Sequence, residues 1–465
     1  MSQTRRLGQL NAAESWLNNY RYLVNADFKA YDFESLRTAL LEYIQLNYPE
    51  DFNDFISSSE YVALVDLMSF MGQNLAFRAD LNLRETFLET AEVRGNVLSI
   101  ARQLGYKPYR NTGASSFLRI SAVNTTQNIY DSKGTNISGR TIVWGDPLNV
   151  DFNEQITLIL NEAFSKSNPV GRPISSITES GVVRQLYQIA QPDSRTMVET
   201  FTLSARNNTN YSCELVPINI DLDSQLAIES VPNPYSYLTA LFNNDGTGYS
   251  NTSNGWFFMF KQGTLKFEDY VLDTSVENRV IDLAGENVND SDVWVQSIDA
   301  TGRILYNWEQ VPSTVGKNIA FNATDKDTRK IYEVITREND SVSLKFGDGT
   351  FADIPMGNIR IWYRESANEN TTFNPVDVSG LQIAIRYVDS TDTEQDLLCT
   401  LQLAAPTSSS ASESLEQIKS RASRSAASQE RMITASDYNT YPEGKVGGID
   451  KIKAINRSHA GQSIY

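Results

Sequence analysis

The residues with the clearest potential for ligand chemistry form the glycine-rich run from Phe346 to Ala352. Its letters GDGTFA fit the pattern G-x-G-x-x-A, which follows a strand in dinucleotide-binding proteins. Such a loop binds a pyrophosphate only when it opens a helix whose N-terminus faces the phosphates. Pro355 and Gly357 interrupt any such helix, and the alternation of a new strand begins at Ile359. The run is therefore predicted to be a turn between two strands.

A second run, from Asn243 to Gly248, carries side-chain oxygens around glycines and resembles part of a calcium-binding loop. Leu241 stands where the first ligand of an EF-hand should be, and no Glu occupies the twelfth position. The EF-hand interpretation therefore fails. A looser cation site that uses Asp245, or Asp325 with Asp327, remains an alternative to a solvated turn.

Catalytic side chains are scarce in the chain. Its 465 residues include 1 His and 2 Cys. A multi-histidine metal site is excluded because His459 is the single histidine, and its place close to the end of the sequence argues against a His-based triad. Cys213 and Cys399 are too few for a disulfide scaffold and are expected to be reduced thiols. The chain also has no Walker loop, G-x-S-x-G or H-E-x-x-H motif, which favours a structural or binding role over catalysis.

The net charge of −17 predicts that nucleic acid and anionic lipid repel the chain. The N-terminal letters MSQTRRLGQL have no apolar run behind them, so no secretory signal is expected. The most apolar helical stretch, Tyr61 to Phe77, is interrupted by Asp66 and Gln73 and is shorter than the ~20 residues that span a bilayer. We expect a chain made in the cytoplasm, with no nucleic-acid or membrane partner.

Helical periodicity dominates the first part of the chain. Asp32 is a predicted N-cap for a helix that ends before Pro49, a second helix starts near Ser59, and a third ends at Gly105. These helices predict an N-terminal helical segment, residues 1–112, that forms a hairpin or a small bundle.

The apolar faces of these helices are too wide for a small bundle to bury alone. Either other subunits or the rest of this chain must cover them. The candidates for subunit contact are Phe52, Phe55, Leu64, Leu67, Met68, Met71, Leu75, Phe77 and Phe87.

From about Ser115 the apolar period changes to two, which predicts a β-rich region over residues 113–403. Predicted strands include Ile156 to Leu160, Val198 to Leu203, and Trp256 to Leu272 with a break at Gln262-Gly263. Ile331 to Thr336 and Val342 to Phe346 predict a hairpin. We expect two subdomains, with a break between residues 230 and 250. The fold class is therefore α+β.

The last segment, residues 404–465, begins with the Ser-rich letters AAPTSSSASES, which are typical of a linker. A helix is predicted from Leu415 to Met432, and a last strand from Ile449 to Ile455. We expect this segment to take part in subunit contacts.

The helical segment also carries a dense resemblance to a known family. The matching residues between Phe28 and Ala114 are Tyr48 to Phe55, Leu64 to Leu67, Gly72 to Arg78, Asp80 to Asn82, Arg84-Glu85, Phe87-Leu88, Thr90 to Glu92 and Leu104 to Tyr106. Later matches are Phe346 to Gly349 with Pro355, Gly357 and Ile361 to Arg364, then Arg431 to Tyr438 and Ile455 to His459. These motifs resemble the gene-six wedge subunits of T4-like contractile-tailed phages, which are related to baseplate J-like proteins.

The resemblance implies a structural, non-enzymatic subunit of the virion tail baseplate, with no cofactor, no metal and no small-molecule substrate. It implies two copies paired as a homodimer with one larger wedge protein in a heterotrimer, and contact with the small sheath-initiating wedge subunit. Six wedges would join into a ring around the hub, and the N-terminal helices would enter a bundle shared among subunits. The ring would then relay the change of shape that triggers sheath contraction.

Two other classes stay open as alternatives. A β-rich tail protein that binds or depolymerises carbohydrate would need an aromatic-lined cleft with two facing carboxylates. A cation-dependent adhesin would need one of the looser cation sites named above.

Overall fold

The computed structural model describes residues 32–47, 59–128, 130, 133–136, 138–144, 173–189, 199–206, 208–221, 226–248, 251–314, 329–350, 352–389, 391–428, 431–432, 437–445 and 452–455. The chain divides into two compact units after Gly105. A short helical part comes first, and several sheets with a small C-terminal helical part follow. The predicted α+β class is confirmed. Phe52 and Phe55 and the predicted strand from Ile156 to Leu160 lie outside the described residues.

Three helices form the described part of the first unit: α1 (Phe33–Asn47), α2 (Ser59–Arg84) and α3 (Arg94–Gln103). Asp32 caps α1, because its carboxylate Oδ1 accepts a hydrogen bond from the Ser35 backbone N at 2.8 Å. Gly105 follows α3 with a φ of 80°, in the left-handed region that a helix C-terminus favours. The predicted starts of α1 and α2 and the predicted end of α3 are confirmed.

The described strands of the second unit form two large sheets and two small ones. In chain order the strands are β1 (Ser115–Thr125), β2 (Ile142–Val143), β3 (Ser175–Glu179), β4 (Val182–Gln188), β5 (Glu199–Ser204), β6 (Asn210–Val216), β7 (Ile218–Ile220), β8 (Ala227–Glu229), β9 (Thr239–Asn244), β10 (Gly255–Gln262), β11 (Thr264–Leu272), β12 (Val280–Asp282), β13 (Val288–Ile298), β14 (Ile304–Val311), β15 (Ile331–Thr336), β16 (Val342–Lys345), β17 (Gly357–Glu365), β18 (Thr371–Phe373), β19 (Ser379–Val388), β20 (Glu394–Leu403) and β21 (Thr407–Ser409).

The first large sheet has ten described strands, and its main path runs β19-β20-β1-β10-β9-β4-β3. Strand β10 lies at its centre: β1 pairs along one side, and β9 and then β6 pair along the other. The period of two in β1 buries Leu118 and Ile120 on one face, as the sequence predicts. These residues pack with Phe258, Phe260 and Leu401 in one continuous core.

The second large sheet has seven described strands in the order β11-β17-β13-β14-β15-β16-β12. Neighbouring strands are antiparallel except for the parallel pair β14 and β15. Its core is separate from that of the ten-stranded sheet and includes Val295, Leu344, Phe346 and Ile361. The predicted hairpin is confirmed, since β15 and β16 pair through a turn in which Asn339 and Asp340 have positive φ.

The seven-stranded sheet is an insertion within the ten-stranded one. The chain leaves β10 for β11 at Gly263 and returns after Glu365 to supply β19 and β20. The predicted break at Gln262-Gly263 is therefore also the place where the chain changes sheets. The expected break between residues 230 and 250 is wrong, because β9 lies there and pairs with both β4 and β10 of the ten-stranded sheet.

The C-terminal part differs from its prediction in two ways. The Ser-rich stretch is not a free linker: β21 pairs with β18, and the Ser412 backbone N donates to Asn368 Oδ1 at 2.7 Å. Backbone groups make these bonds, so the composition of the stretch does not prevent them. After α4 (Leu415–Ser428) and α5 (Asp437–Lys445), residues 452–455 form no strand. There the Ala454 backbone N donates to the Asn439 side chain instead of to a neighbouring strand.

Candidate interaction surface

Helix α2 packs against α1 through its smallest side chains. Ser69 is fully buried, and a Cβ added at Gly72 would lie 3.2 Å from Leu36 Cδ1 of α1. Arg37 of α1 and Asp66 of α2 form an ion pair at 2.7 Å beside this contact. Val65, one turn before Ser69, is also buried, so the buried residues of α2 combine one apolar side chain with a small polar one.

The large apolar side chains of α2 lie on its other faces and are exposed. The predicted contact residues that the structure describes have the following exposed fractions: Leu64 51%, Leu67 55%, Met68 58%, Met71 56%, Leu75 65%, Phe77 65% and Phe87 61%. An amphipathic helix of a folded domain normally buries its apolar side and exposes its polar side. Helix α2 departs from this arrangement, because most of its large apolar side chains are exposed. We call these seven residues, six of α2 and Phe87 of the turn that follows it, the α2 surface.

The turn between α2 and α3 is held by one carboxylate. Glu85 Oε1 accepts a hydrogen bond from the Glu92 backbone N at 2.9 Å, and Glu85 Oε2 accepts one from the Asn96 side chain at 2.9 Å. The Val93 backbone N also donates to Glu85, at 3.3 Å. Helix α3 has no cap from its own N-cap residue, Val93. Glu85 therefore supplies the negative charge that the start of a helix favours.

Two further residues of the same turn belong to the motif that resembles the wedge family. The Thr90 hydroxyl donates to the Arg84 carbonyl at 2.6 Å, and the Ala91 backbone N donates to the Phe87 carbonyl at 2.9 Å. Ala91 is fully buried while Phe87 remains exposed. These contacts explain why Arg84-Glu85 and Thr90-Ala91 occur together: they fix the turn and leave Phe87 at its surface.

Charged side chains are buried in the second unit, where three sheets meet. Arg364 of β17, with 0% exposed side chain, lies 2.9 Å from Glu229 Oε1, 3.5 Å from Asp292 Oδ2 and 3.6 Å from Glu214 Oε2. Lys261 of β10 lies 2.7 Å from Glu229 and 2.6 Å from Asp292. The ten-stranded sheet contributes Lys261 and Glu214, the seven-stranded sheet Arg364 and Asp292, and β8 Glu229. We call these five residues the junction cluster.

The electrostatics of the junction cluster follow from burial and pairing together. Burial alone would raise the pKa of Asp292, but Lys261 and Arg364 outweigh that effect and lower it to about 2. Burial raises the pKa of Glu214 despite the neighbouring Arg364. Two cations pair with three carboxylates, so removal of either cation would leave a buried carboxylate without its partner.

Another buried arginine attaches the start of the second unit to the seven-stranded sheet. The Arg110 guanidinium donates to the carbonyls of Val288 and Asp290 at 3.0 and 2.9 Å, and to the Thr336 hydroxyl at 3.1 Å. Nearby, the Tyr106 hydroxyl donates to Glu413 at 2.7 Å, and Arg421 of α4 pairs with the same carboxylate. The segment that follows Gly105 is therefore fixed by polar contacts within the second unit.

The motifs with potential ligand chemistry are occupied by internal contacts. Asp245 organises its own loop: its carboxylate accepts from the Thr247 backbone N at 2.9 Å and from Asn254 Nδ2 at 2.6 Å, and the Thr247 contacts lower its pKa to about 2. The run from Phe346 forms a turn without a following helix, as predicted. Among the described residues, no group of three or more His, Cys, Asp or Glu could hold a metal ion. Asp325 and Asp327 lie outside those residues.

A polar groove of about 500 Å³ lies where β10 continues into β11. Glu286 and Glu365 are among its lining residues, and Tyr211 is the aromatic residue in that lining. Tyr211 is only 5% exposed, and Lys266 pairs with Glu365. The groove therefore offers no exposed aromatic platform for a sugar.

No described helix is both long enough and apolar enough to cross a bilayer.

A family model described as a domain of unknown function, DUF8360, matches residues 116–406, which is more than half of the chain. The chain belongs to the DUF8360 family. The match starts within β1 and ends just before β21, so it covers both large sheets and excludes α1 to α3. No curated protein matches the chain. The DUF8360 domain thus coincides with the β-rich region, and the densest resemblance to wedge subunits lies before it.

No local pattern in the sequence predicts the residues that join the sheets. Lys261 follows the apolar run from Trp256 to Phe260, and Arg364 follows the run from Ile361 to Tyr363, so a charge directly after an apolar run is the available signal. Their carboxylate partners lie from 31 positions away along the chain, for Lys261 and Asp292, to 150 positions away, for Arg364 and Glu214. Glu85 was noted as part of a motif, but its role in holding the start of α3 appears only in the structure.

Proposed function

We propose that this DUF8360 protein is a structural subunit of a contractile-tail baseplate wedge and that its α2 surface packs against helices of other wedge subunits. The proposal is supported mainly by the α2 surface, in which seven large apolar residues of α2 and the following turn are more than half exposed. The resemblance of the same segment to the wedge family supplies the kind of partner.

Burial of the α2 surface would provide a strong driving force for assembly. Covering one large apolar side chain contributes about 1.5 to 3 kcal/mol. Met68 and Met71 are unbranched and adapt to irregular neighbours, which suits a helix that meets more than one subunit. Extended exposed apolar surface of this kind commonly marks protein contact sites.

The division of the chain into two units fits a subunit that links others. The α2 surface belongs to the unit before Gly105, while the DUF8360 sheets have complete cores of their own. A wedge subunit of this design would keep its β-rich body folded while its helices join the shared bundle. In this proposal it works without a cofactor and relays changes of baseplate shape to the sheath.

Co-expression with the larger wedge subunit of the same phage tests the proposal. We expect a stable complex with two copies of this chain for each copy of the larger subunit, measured by light scattering after size-exclusion chromatography. The triple substitution of Leu67, Met71 and Leu75 by Gln should abolish the complex. Val376→Gln is the matched control, because Val376 is 84% exposed but belongs to the second unit.

Failure to form a complex, or a complex that tolerates the triple substitution, would overturn the proposal. A cryo-EM map of the intact tail gives a second test. We expect helices of other subunits against Leu64 and Met68, and a map with solvent on that face would contradict the proposed packing.

A further inference from the structure

Strand β11 is an open edge of the seven-stranded sheet. It pairs with β17 over all nine of its residues, and no other described strand pairs with it. The Leu265 backbone N–H donates to the Glu214 carboxylate rather than to β17, so this N–H group points away from β17. The direction of the backbone N–H and C=O groups alternates from one residue to the next along an antiparallel strand. The groups of Phe267, Asp269 and Val271 therefore also point away from β17.

Two of the residues whose backbone groups point away from β17 also have exposed apolar side chains. Phe267 is 51% exposed and Val271 is 69% exposed. Phe267 is rigidly placed, since its ring lies 4.8 Å from the Trp362 ring and the Arg360 guanidinium stacks 4.5 Å above it. An edge with these features is a template for another strand.

The charges of β11 do not protect this edge. Charged side chains usually keep strand edges from pairing. Here Asp269 is held by Arg360 through two bonds of 2.7 Å, and Lys266 pairs with Glu365. Glu268 accepts hydrogen bonds from the Tyr363 and Tyr270 hydroxyls. Asp269 and Lys266 are thus paired with opposite charges within the chain, and Glu268 is held by hydrogen bonds, so these side chains are less able to keep an incoming strand away.

The long edge of the other sheet differs. Strand β19 pairs only with β20 among the described strands, and its exposed side chains include Gln382, Ala384 and Arg386. No large apolar residue of β19 is among the exposed ones. The combination of an open edge with exposed apolar residues is thus particular to β11 in this comparison.

We infer that β11 pairs in antiparallel fashion with β11 of a second copy of this chain, in the register that places Asp269 opposite Asp269. This register brings Phe267 of each copy against Val271 of the other on the same face of the sheet. All three opposing pairs use the outward backbone groups, so they can form hydrogen bonds. Each central Asp269 keeps its own Arg360, which limits the repulsion between the two carboxylates.

The occupant is a second copy because the edge is complementary to itself. Phe267 and Val271 are equally spaced about Asp269, and a two-fold axis through that residue matches both apolar contacts at once. The two seven-stranded sheets would then become one continuous sheet. This inference uses no residue of the α2 surface and goes beyond the proposed function.

Disulfide trapping in the full-length chain tests the register. Opposing hydrogen-bonded residues have Cα atoms about 5.5 Å apart, so Asp269→Cys should form a disulfide-linked dimer on mild oxidation. Val271→Cys is the matched control on the same strand: two such residues would lie about 14 Å apart along the strands and should not link. Cys213 and Cys399 are buried and should not interfere.

A second variant tests the pairing itself. Val271→Lys places a charge against Phe267 of the other copy, and in the Asp269→Cys background it should slow disulfide formation at least tenfold. Ala384→Lys on β19 should leave that rate unchanged. If circular dichroism shows that Asp269→Cys does not fold, a mixture of Phe267→Cys and Val271→Cys chains serves instead, and it should yield dimers that link one chain of each kind.

Equal linking at positions 269 and 271, or a rate that is insensitive to Val271→Lys, would overturn the inference. Association through the helices cannot imitate the expected result, because it gives no preference for position 269 over position 271. The outcome is therefore independent of whether the wedge partner binds.

Discussion

Apolar and charged side chains are placed in opposite ways in the two units of the chain. In the helical unit, Leu75 and Phe77 are each 65% exposed, while Ser69 lies fully buried against the neighbouring helix. In the β-rich unit, Arg364 is fully buried and Asp292 nearly so. Among the described residues, helix α2 leaves much of its apolar surface exposed, whereas the β-rich unit buries charged side chains in ion pairs.

This difference distinguishes a helix with exposed apolar side chains from a β-rich body with buried ion pairs. Exposed apolar side chains gain free energy only when something covers them. Buried charges are stable only while every partner is present. Substitution of buried charges in the β-rich unit should therefore cost much stability, whereas substitution of exposed apolar residues in the helical unit should cost little. Five predictions, ordered from the largest expected effect to the smallest, test this difference.

Arg364→Met should have the largest effect on stability. It removes the cation that contacts all three carboxylates of the junction cluster and leaves Lys261 alone to pair with them. We expect the free energy of unfolding to fall by about 3 to 5 kcal/mol, measured by urea denaturation. Arg386→Met is the control: that side chain is 71% exposed and 3.6 Å from Asp396, and its loss should cost less than about 1 kcal/mol. Similar losses in both variants would contradict the importance of the cluster.

Gly263→Ala should be the next most damaging change. Gly263 has a φ of 110°, and an added Cβ would lie 2.3 Å from the Glu365 carbonyl oxygen. Strain and overpacking together should cost about 2 kcal/mol or more. Gly302→Ala shares the positive φ but meets no atom within 4 Å, so its cost should be about 1 kcal/mol. Thermal denaturation that ranks Gly302→Ala as the worse variant would refute the close contact.

Lowering the pH should reduce the stability that the junction cluster provides. Pairing with Lys261 and Arg364 overcomes burial and holds the pKa of Asp292 at about 2, below its ordinary 3.8. Its contribution to stability is complete above pH 3.8 and is lost as the pH falls through 2. In Arg364→Met the pKa of Asp292 should rise, so the acid loss should begin at a higher pH. Urea midpoints measured from pH 6 down to pH 2 test this shift, and identical profiles would argue against it.

Glu85→Gln should have a moderate effect that is confined to the helical unit. The substitution removes the negative charge that faces the start of α3. We expect a loss of about 1 kcal/mol in the thermal unfolding of the helices, followed by far-UV circular dichroism. Glu42→Gln, at an exposed position of α1, should change stability by less than about 0.5 kcal/mol. A silent Glu85→Gln would mean that the turn does not depend on this carboxylate.

Substitution within the α2 surface should have the smallest effect on the isolated chain. Met68→Gln and Leu75→Gln alter side chains that are 58% and 65% exposed, so each should change the free energy of unfolding by less than about 0.5 kcal/mol. Val97→Ala is the comparison, because Val97 of α3 is fully buried and its truncation should cost about 2 kcal/mol. If the α2 variants proved as destabilising as Val97→Ala, their side chains would be part of a core within this chain.

Local signals in the sequence predicted the local structure well. Asp32, a short acidic residue before the helical apolar pattern, indicates the start of α1. Gly105, a glycine directly after such a pattern, indicates the end of α3. The break at Gly263 was visible because glycine interrupts an apolar run. The exposed state of the α2 surface agrees with the width of apolar periodicity in that helix.

Long-range organisation could not be predicted in the same way. Strand β20 pairs with β1 across almost 300 residues, and no local pattern specifies that partner. The junction cluster is likewise formed by five charges whose positions share no period. The Ser-rich stretch was misinterpreted because composition describes side chains, whereas β21 is held through its backbone.

The chain passes into the seven-stranded sheet at Gly263 and leaves it after Glu365, and these two points lie side by side because Thr264 pairs with Glu365. The 102 residues from Thr264 to Glu365 enter and leave the ten-stranded sheet at neighbouring points and carry their own core. Replacing them by a short turn would leave the hydrogen-bonded order of the host strands intact. The loss of this insertion would still require a change in the host sheet, because Lys261 and Glu214 would lose their buried partners Asp292 and Arg364.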